Sequence, residues 1–559
     1  MKIFRFFFPT AVGLMLAMPT NGVAQLSEYQ RFEVLKYLDT YNAVFNDLSL
    51  YYVDTLEIKK LNRNIAFLLQ QHADPYSEYI SEEEMPDFRF QTTGEYGGIG
   101  SIISMRNRQI IINTPYKGMP AADAGLIPGD AILAIDGESM EGKTTVDASE
   151  KLKGQPNTRV RLTIQRAGES QTRELSIVRK QIQIDPVSYY GVIKEGIGYI
   201  YLSSFTTHSA ESFKTALLDL TEKRHIRSLV IDVRNNGGGV VENCLEILNY
   251  FLPKKELLLS MHGRIKQMDV EYHAEKEAIA SDLPIAILVN ENSASASEIL
   301  SGTIQDLDRG VVIGNRTYGK GLVQATRPLP YNGKLKLTTA HYYLPSGRSI
   351  QAINYANRDE NGRVSSIPDS LTQVFYTRNR RPVRDGCGVL PDLVIAEDTL
   401  PTILYYLDAQ NLLFDFVVDW RIRHPAVKEP SQFTLTDEMY DEFKKYVQSK
   451  DFTYDRQSEK ILNNLKQTMT FEGYYDAAAP EFQALAAKLK PDLTRDLEYH
   501  KAKIGKYLAM EIMQQYYFEQ GSLVYSLRDD KALQEATRIL SDNSLYNNIL
   551  TNIKTDETK

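Results

Sequence analysis

Hydrophobic periodicity divides the chain into stretches of different character. Between Gln25 and about Phe90, Phe32, Leu35, Leu38, Tyr41 and Phe45 recur at helical spacing, and a second such run spans Lys59 to His72. This predicts an accessory helical layer. From Gly94 the pattern changes to short strands and turns: Gly97-Gly98-Ile99-Gly100, Ile110-Ile111-Ile112, Ala124 to Gly137, a short helix near Thr144 to Leu152, and the alternating strand Val160 to Ile164. Between about Asp185 and Asp392, apolar strand runs (Ile197 to Leu202, Ser228 to Val233, Pro284 to Val289) alternate with helical runs (Ser209 to Glu222, Glu242 to Phe251, Ser297 to Asp306). Strand and helix alternation predicts an α/β core. Beyond Asp392 helical spacing returns, carried by Ile403, Tyr406, Leu407, Phe414 and Val417, then Met439, Tyr440, Phe443 and Val447, then Leu497, Ile504, Leu508 and Ile512.

Composition adds limits to this picture. A chain of 559 residues exceeds what one hydrophobic core organises, so several domains are expected. The formal charge of −8, with no stripe of Lys and Arg, disfavours nucleic acid as a partner. Lys2 and Arg5 precede an apolar run from Phe6 to Met18, and Gly22-Val23-Ala24 offers small residues for cleavage before Gln25. This reads as a secretory signal over residues 1–24 and predicts an exported protein, periplasmic or beyond, with no stable transmembrane segment once the signal is removed. A membrane span needs ~20 apolar residues, and this stretch is interrupted by Pro9 and closed by Pro19. Cys244 and Cys387 are the only cysteines, which excludes a disulfide framework and a cysteine zinc cluster but leaves one bridge between them open.

Candidate chemistry lies in three places. Asn292-Ser293-Ala294-Ser295-Ala296-Ser297-Glu298 follows the strand run Pro284 to Val289 and leads into a helix, a position where a hydroxyl stands clear of its backbone. Any of the three serines fits that description. A serine hydroxyl needs a base. None of the eight histidines lies in a triad or metal-binding motif, although a Ser/His hydrolase using His341 or His208 remains an alternative. Lys320, in Gly319-Lys320-Gly321 after the strand Gly310 to Ile313, imitates a phosphate-binding loop, but Gly321 stands where that loop needs Ser or Thr, and the prolines of Leu322 to Pro330 suit a strand rather than a helix. Framed by glycines and apolar strands, Lys320 can be desolvated and thereby supply a neutral amine as base. Gln324, four positions on, is expected on the same side of the strand, with its amide orienting that amine. The third place is Ile231 to Val240, where Asn235-Asn236-Gly237-Gly238-Gly239 leaves backbone N–H groups accessible to an oxyanion. No cofactor or metal is called for.

Two resemblances organise these motifs. Gly94 to Ile182 resembles a PDZ domain, which implies that Gly97, Gly98, Ile99 and Gly100 form a carboxylate-binding nest and that a ligand adds as a strand beside Ile99 to Ile103. Ser27 to Asp392 as a whole resembles the carboxy-terminal processing peptidases, or tail-specific proteases, on Asp74-Pro75-Tyr76-Ser77, Arg234 to Gly239, Ser293 to Glu298, Tyr318 to Gln324 and Tyr342 to Ile350. The resemblance implies Ser295 as nucleophile, Lys320 as general base, Gln324 as its orienting partner, and the N–H groups of Ala296 and of Gly238 or Gly239 as the oxyanion site. Gly237 departs from the family's more usual residue there. The expected architecture is a multidomain α/β protein: signal 1–24, helical region 25–93, inserted PDZ domain 94–182, peptidase core 183–392 with crotonase-like or ClpP-like layers, and helical domain 393–559. Expected partners are polypeptides with free C-termini, and an adaptor or second copy bound through the C-terminal helices. The alternative is a non-catalytic PDZ scaffold that only binds protein tails.

Overall fold

A computed structural model describes residues 27–51, 64–264, 266, 269–360, 363–396, 399–489 and 492–551. The expected signal segment, and Lys59 to Arg63 of the second helical run, lie outside the described residues. The first run does form a helix, Glu28–Tyr51. Its apolar residues stay largely in solvent, however: Phe32, Leu35, Leu38 and Tyr41 are each at least half exposed, and Tyr41 stacks on Phe45 of the same helix rather than on the core.

The segment read as a PDZ domain is an antiparallel sheet of six strands, five in the order Ser101–Arg106, Gln109–Pro115, Ala131–Ile135, Arg159–Gln165, Arg173–Val178, with the short Glu138–Ser139 pairing to Ala131–Ile135 off that path. Its core gathers Ile99, Ile110, Ile112, Val160, Leu162 and Ile164 with Ala148 and Leu152 of the helix Thr145–Leu152. The strand Ser101–Arg106 lies at the sheet's edge, so its outer backbone groups are open to an added strand. The domain joins the rest of the chain through one antiparallel ribbon, Glu95–Gly98 paired with Lys180–Gln183.

Between Val187 and Leu393 the chain builds a six-stranded sheet ordered Val187–Lys194, Ile197–Leu202, Ser228–Asp232, Ile285–Val289, Val311–Gly314, Leu393–Val394, parallel throughout except for the first pair. The central strands Ser228–Asp232 and Ile285–Val289 are buried at every position, as expected of parallel strands covered on both faces. Ile231, Ile287 and Val289 meet Phe213, Cys244, Ile247 and Ile299 from helices on one face. On the other, Tyr199, Val230, Ala286, Leu288 and Ile313 are covered by Ala532, Leu533, Ala536, Ile539 and Tyr546. The last two helices, Lys531–Leu540 and Asn543–Thr551, are therefore the second helical layer of the α/β core, although the sequence pattern assigned them to an appended helical domain. Leu393–Val394, just past the expected boundary at 392, supplies the sheet's sixth strand.

The other C-terminal helices form their own core around Trp420, Phe416, Phe443, Leu508 and Ile512. They also touch the segment read as PDZ. Phe414 and Val418 pack on Ile111 and Ala131, and Arg106, at the end of the edge strand, lies over the Phe414 ring at 3.8 Å and 3.5 Å from Asp415. Among the described residues no helix is long and apolar enough to cross a membrane.

Candidate active site

The strand Ile285–Val289 ends in a turn that places three serine hydroxyls in three different environments. Ser293 Oγ donates to Val233 O at 2.8 Å and accepts from Asn290 N at 3.0 Å. Ser297 Oγ donates to Asn236 O at 2.8 Å. Both are fully buried and serve to stitch the turn to its neighbour. Ser295 differs. It precedes the helix Ala296–Asp306 with φ 56° and ψ −115°, a strained backbone for a residue with a side chain, and its hydroxyl donates to no backbone carbonyl among the described residues, facing instead the Glu298 N–H in a capping box. A β-carbon placed on Gly238 would lie 2.8 Å from Ser295 Cβ and 2.9 Å from Ala296 N, so the glycine turn faces this serine at a distance only glycine permits.

Asn236, fully buried, holds the two turns together. Its O accepts from Ala294 N at 3.0 Å, its Nδ2 donates to Leu202 O at 2.8 Å, and its Oδ1 accepts from Gly238 N at 2.9 Å. This last bond bears on the oxyanion site, because the Gly238 N–H is already engaged. Among the described residues, those of Gly239 and Ala296 are not.

Lys320 occupies the loop before the strand Leu322–Pro328, which confirms a strand where a nucleotide-binding loop would need a helix. Its Nζ lies 4.2 Å from the centroid of the Tyr76 ring and makes no hydrogen bond to Ser295. Burial pushes the Lys320 amine down to about 8, with Lys336 adding to the effect and Asp74 and Glu298 opposing it. Tyr76 is itself fixed: Asp74 Oδ1 accepts its backbone N–H at 2.9 Å, and its hydroxyl lies 3.2 Å from that of Tyr355 and 3.4 Å from that of Tyr318. The expected contact from Gln324 is not made. Gln324 Nε2 donates to Thr338 Oγ1 at 3.0 Å, and a register shift between Val323 and Gln324 breaks the two-residue alternation on which that expectation rested.

The residue that ties serine to lysine is Glu298. Its Oε2 accepts from Ser295 N at 2.8 Å and Lys320 N at 2.9 Å, while Oε1 accepts from Thr317 Oγ1 at 2.5 Å and Gly319 N at 2.7 Å. Four donors on a fully buried carboxylate stabilise its charge, but desolvation outweighs them and pushes Glu298 up to about 7. Tyr342 adds a second bridge, its hydroxyl lying between the carbonyl oxygens of Ser295 and Lys320. Sequence reading missed Glu298, Tyr342, Asn236 and the lysine contact of Tyr76. Glu298 carried a signal, since an acidic residue three positions after the serine opening a helix is a capping pattern.

The histidine alternatives find no support in the geometry. His208 Nε2 pairs with Glu95 Oε1 at 2.9 Å, and neither it nor the exposed His341 hydrogen-bonds Ser295. Cys244 and Cys387 are free and buried, so the bridge does not form. Cys244 instead donates to Ala296 O at 3.1 Å, beneath the serine turn.

At the other candidate site, Gly97 and Gly98 belong to the ribbon, and a β-carbon on Gly97 would lie 2.1 Å from Gly154 O. Ile99 is buried and Gly100 takes φ +72°. A cavity of about 990 Å³ runs alongside, lined by Ile103, Val146, Ser149 and Lys153 among others.

A strained serine, a desolvated amine and a glycine turn facing the serine are the parts of acyl transfer at a hydroxyl. Comparison with known proteins places them in a lineage. Residues 196–357 match the family described as peptidase family S41, residues 111–166 a PDZ domain, and residues 403–540 the C-terminal helical domain of probable PDZ-proteases. The chain is 37% identical over 322 residues to a carboxy-terminal-processing protease of Bartonella bacilliformis, covering 57% of this chain and 73% of that one. It is 32% identical over 381 residues to a probable CtpA-like serine protease of Staphylococcus haemolyticus, covering 68% and 75% respectively. Among solved structures, a photosystem II D1 C-terminal processing protease is 25% identical, with 66% of this chain and 94% of that one covered and a TM-score of 0.36. The chain belongs to peptidase family S41, among its carboxy-terminal-processing proteases. It is a serine-type peptidase with a PDZ domain.

Proposed function

We propose that this protease uses Ser295 as nucleophile, Lys320 as general base, and the N–H groups of Ala296 with Gly239 or Gly238 as the oxyanion site. One observation carries the choice of serine: the hydroxyls of Ser293 and Ser297 donate to backbone carbonyls, whereas that of Ser295 donates to none and sits on a strained backbone opposite Gly238. In this reading Lys320 leaves the Tyr76 ring and, as a neutral amine, accepts the Ser295 proton as Oγ bonds to the scissile carbon. The ammonium then protonates the leaving nitrogen as the C–N bond breaks. Water attacks the ester next, Lys320 taking its proton and returning it to Oγ. Gln324 can join only by turning from Thr338, and Gly238 only if its N–H leaves Asn236.

The PDZ nest of Gly97, Gly98, Ile99 and Gly100 then captures a free substrate carboxylate, with the tail added along the edge strand Ser101–Arg106. The layered sheet and helices support a crotonase-like or ClpP-like core, the polar and apolar pattern before Gln25 supports export, and the C-terminal helices offer surface for an adaptor or second copy. The test is cleavage of an unfolded polypeptide by the full chain beside Ser295→Ala and Lys320→Ala. Both variants are expected to lose activity while keeping their fold, and wild-type cleavage by either overturns the assignment.

A further inference from the structure

Among the described residues, the C-terminal helices reach the root of the glycine turn through the ion pair of Arg234 with Asp530. Arg234 stands at the root of that turn, two residues past the end of the strand Ser228–Asp232. Its Nε lies 3.0 Å from both carboxylate oxygens of Asp232 and its Nη2 2.5 Å from Oδ2. Asp232 is buried and needs these donors together with the Tyr199 hydroxyl at 2.8 Å. The remaining arm of the guanidinium, Nη1, lies 2.7 Å from Asp530 Oδ2. Asp530 in turn caps the helix Lys531–Leu540, its Oδ1 accepting Leu533 N at 2.9 Å. One carboxylate therefore faces two ways, and the helix it caps is held against the sheet by Ala532, Leu533, Ala536 and Ile539.

Among the described residues the turn beyond Arg234 is otherwise tied to the core, Gly238 O accepting from Phe205 N at 3.0 Å and Phe205 O accepting from Val240 N at 2.7 Å. Asn235, at φ +60°, exchanges hydrogen bonds of 2.9 Å with Asn290, and Asn236 binds Leu202 and Ala294 as described. We propose that Asp530 is a positioning residue for peptide-bond cleavage: from the helix cap it fixes Arg234, and through Arg234 the placement of the Gly238 and Gly239 amides opposite Ser295. The C-terminal helical segment is then a working part of the active site rather than only a brace. This rests on the assignment of the glycine turn as the oxyanion site.

Asp530→Asn isolates the tether, because asparagine caps a helix as well as aspartate does but carries no charge for Arg234. With a small ester substrate, kcat of the full chain is expected to fall about 10-fold at unchanged KM. That is less than the 10²–10³ lost with a whole oxyanion donor, since the donors remain and only their placement loosens. Phosphonylation of Ser295 by a small fluorophosphonate, whose oxygen enters the same site, should slow by the same factor, while the thermal midpoint stays unchanged. Asp530→Glu, which keeps the charge, should recover most of the rate. An unchanged kcat in Asp530→Asn overturns the proposal, and so does a loss that Asp530→Glu shares in full. Undiminished activity in Ser295→Ala would instead sink the catalytic assignment, so the two failures are distinguishable.

Discussion

Replacing Glu298 by glutamine tests whether one buried carboxylate keeps serine and lysine in register. The two carboxylate oxygens accept from Ser295 N, Lys320 N, Gly319 N and the Thr317 hydroxyl. An amide has one acceptor oxygen, so glutamine must choose a side. With its oxygen toward Ser295 and Lys320, its NH₂ group opposes the Gly319 N–H, and the Thr317 hydroxyl, which also accepts from Val389 N at 2.7 Å, has to turn round. With the reverse orientation two N–H groups are orphaned. The first is the less costly, and a single buried unpaired donor costs about 1–3 kcal/mol. Relief from burying a charge offsets part of this, so a folded protein with a modestly lowered thermal midpoint is expected. Catalysis should suffer more, because Gly319 leads directly into Lys320 and a displacement near 1 Å can cost about 10²-fold. The assay is single-turnover acylation of Ser295 by a chromogenic ester at saturating substrate, paired with thermal unfolding. A variant with the wild-type acylation rate would refute the idea that Glu298 sets the register.

The acid limb of the kcat/KM profile should involve two protons. Lys320, lowered to about 8, must lose its proton to act as a base, and Glu298, raised to about 7, must be ionised to accept four donors, so activity should rise with pH through both values. The stability sign is opposite: a folded value raised above the unfolded one means that the Glu298 contribution is full in acid and lost as pH rises through about 7. A profile with a single proton, unchanged in Glu298→Gln, would contradict this. Gly238→Ala should abolish peptidase activity in a folded protein, since its methyl would meet Ser295 Cβ at 2.8 Å on a backbone at φ +96°; an active variant, read by covalent Ser295 labelling and cleavage together, would show that the turn does not face the serine.

How far the sequence reveals this site depends on which forces shape each part. The strand, the small-residue turn and the helix around Ser295 are local, and their hydrophobic pattern announces them. The glycines at 238 and 239 are legible for the same reason, as positions where side chains are excluded. Contacts across the chain leave no such trace. Tyr76 reaches Lys320 from the far end of the sequence, and the bulge that turns Gln324 toward Thr338 is a one-residue shift that periodicity cannot register. The helix Lys531–Leu540 shows the intermediate case: Ala532, Leu533, Ala536, Ile539 and Leu540 announce a buried face, but nothing in the pattern names the peptidase sheet as its partner.

The ribbon that carries the PDZ domain has a consequence for how such proteases diversify. Glu95 stands opposite Gln183 and Gly98 opposite Lys180, so the chain leaves the core and returns to it on adjacent strands, roughly 5 Å apart. The core is topologically complete without the insertion, since a tight turn could close the same ladder. Among the described residues, the surfaces that have to co-adapt are the patch where Phe414, Asp415 and Val418 meet the domain, the neighbouring contacts of Ile422 with Gly168 and Gln514 with Thr114, and the Asp87–Lys153 ion pair. If the domain captures tails as proposed above, that recognition can be exchanged as a cassette, with selectivity changing while the hydrolytic chemistry is inherited intact.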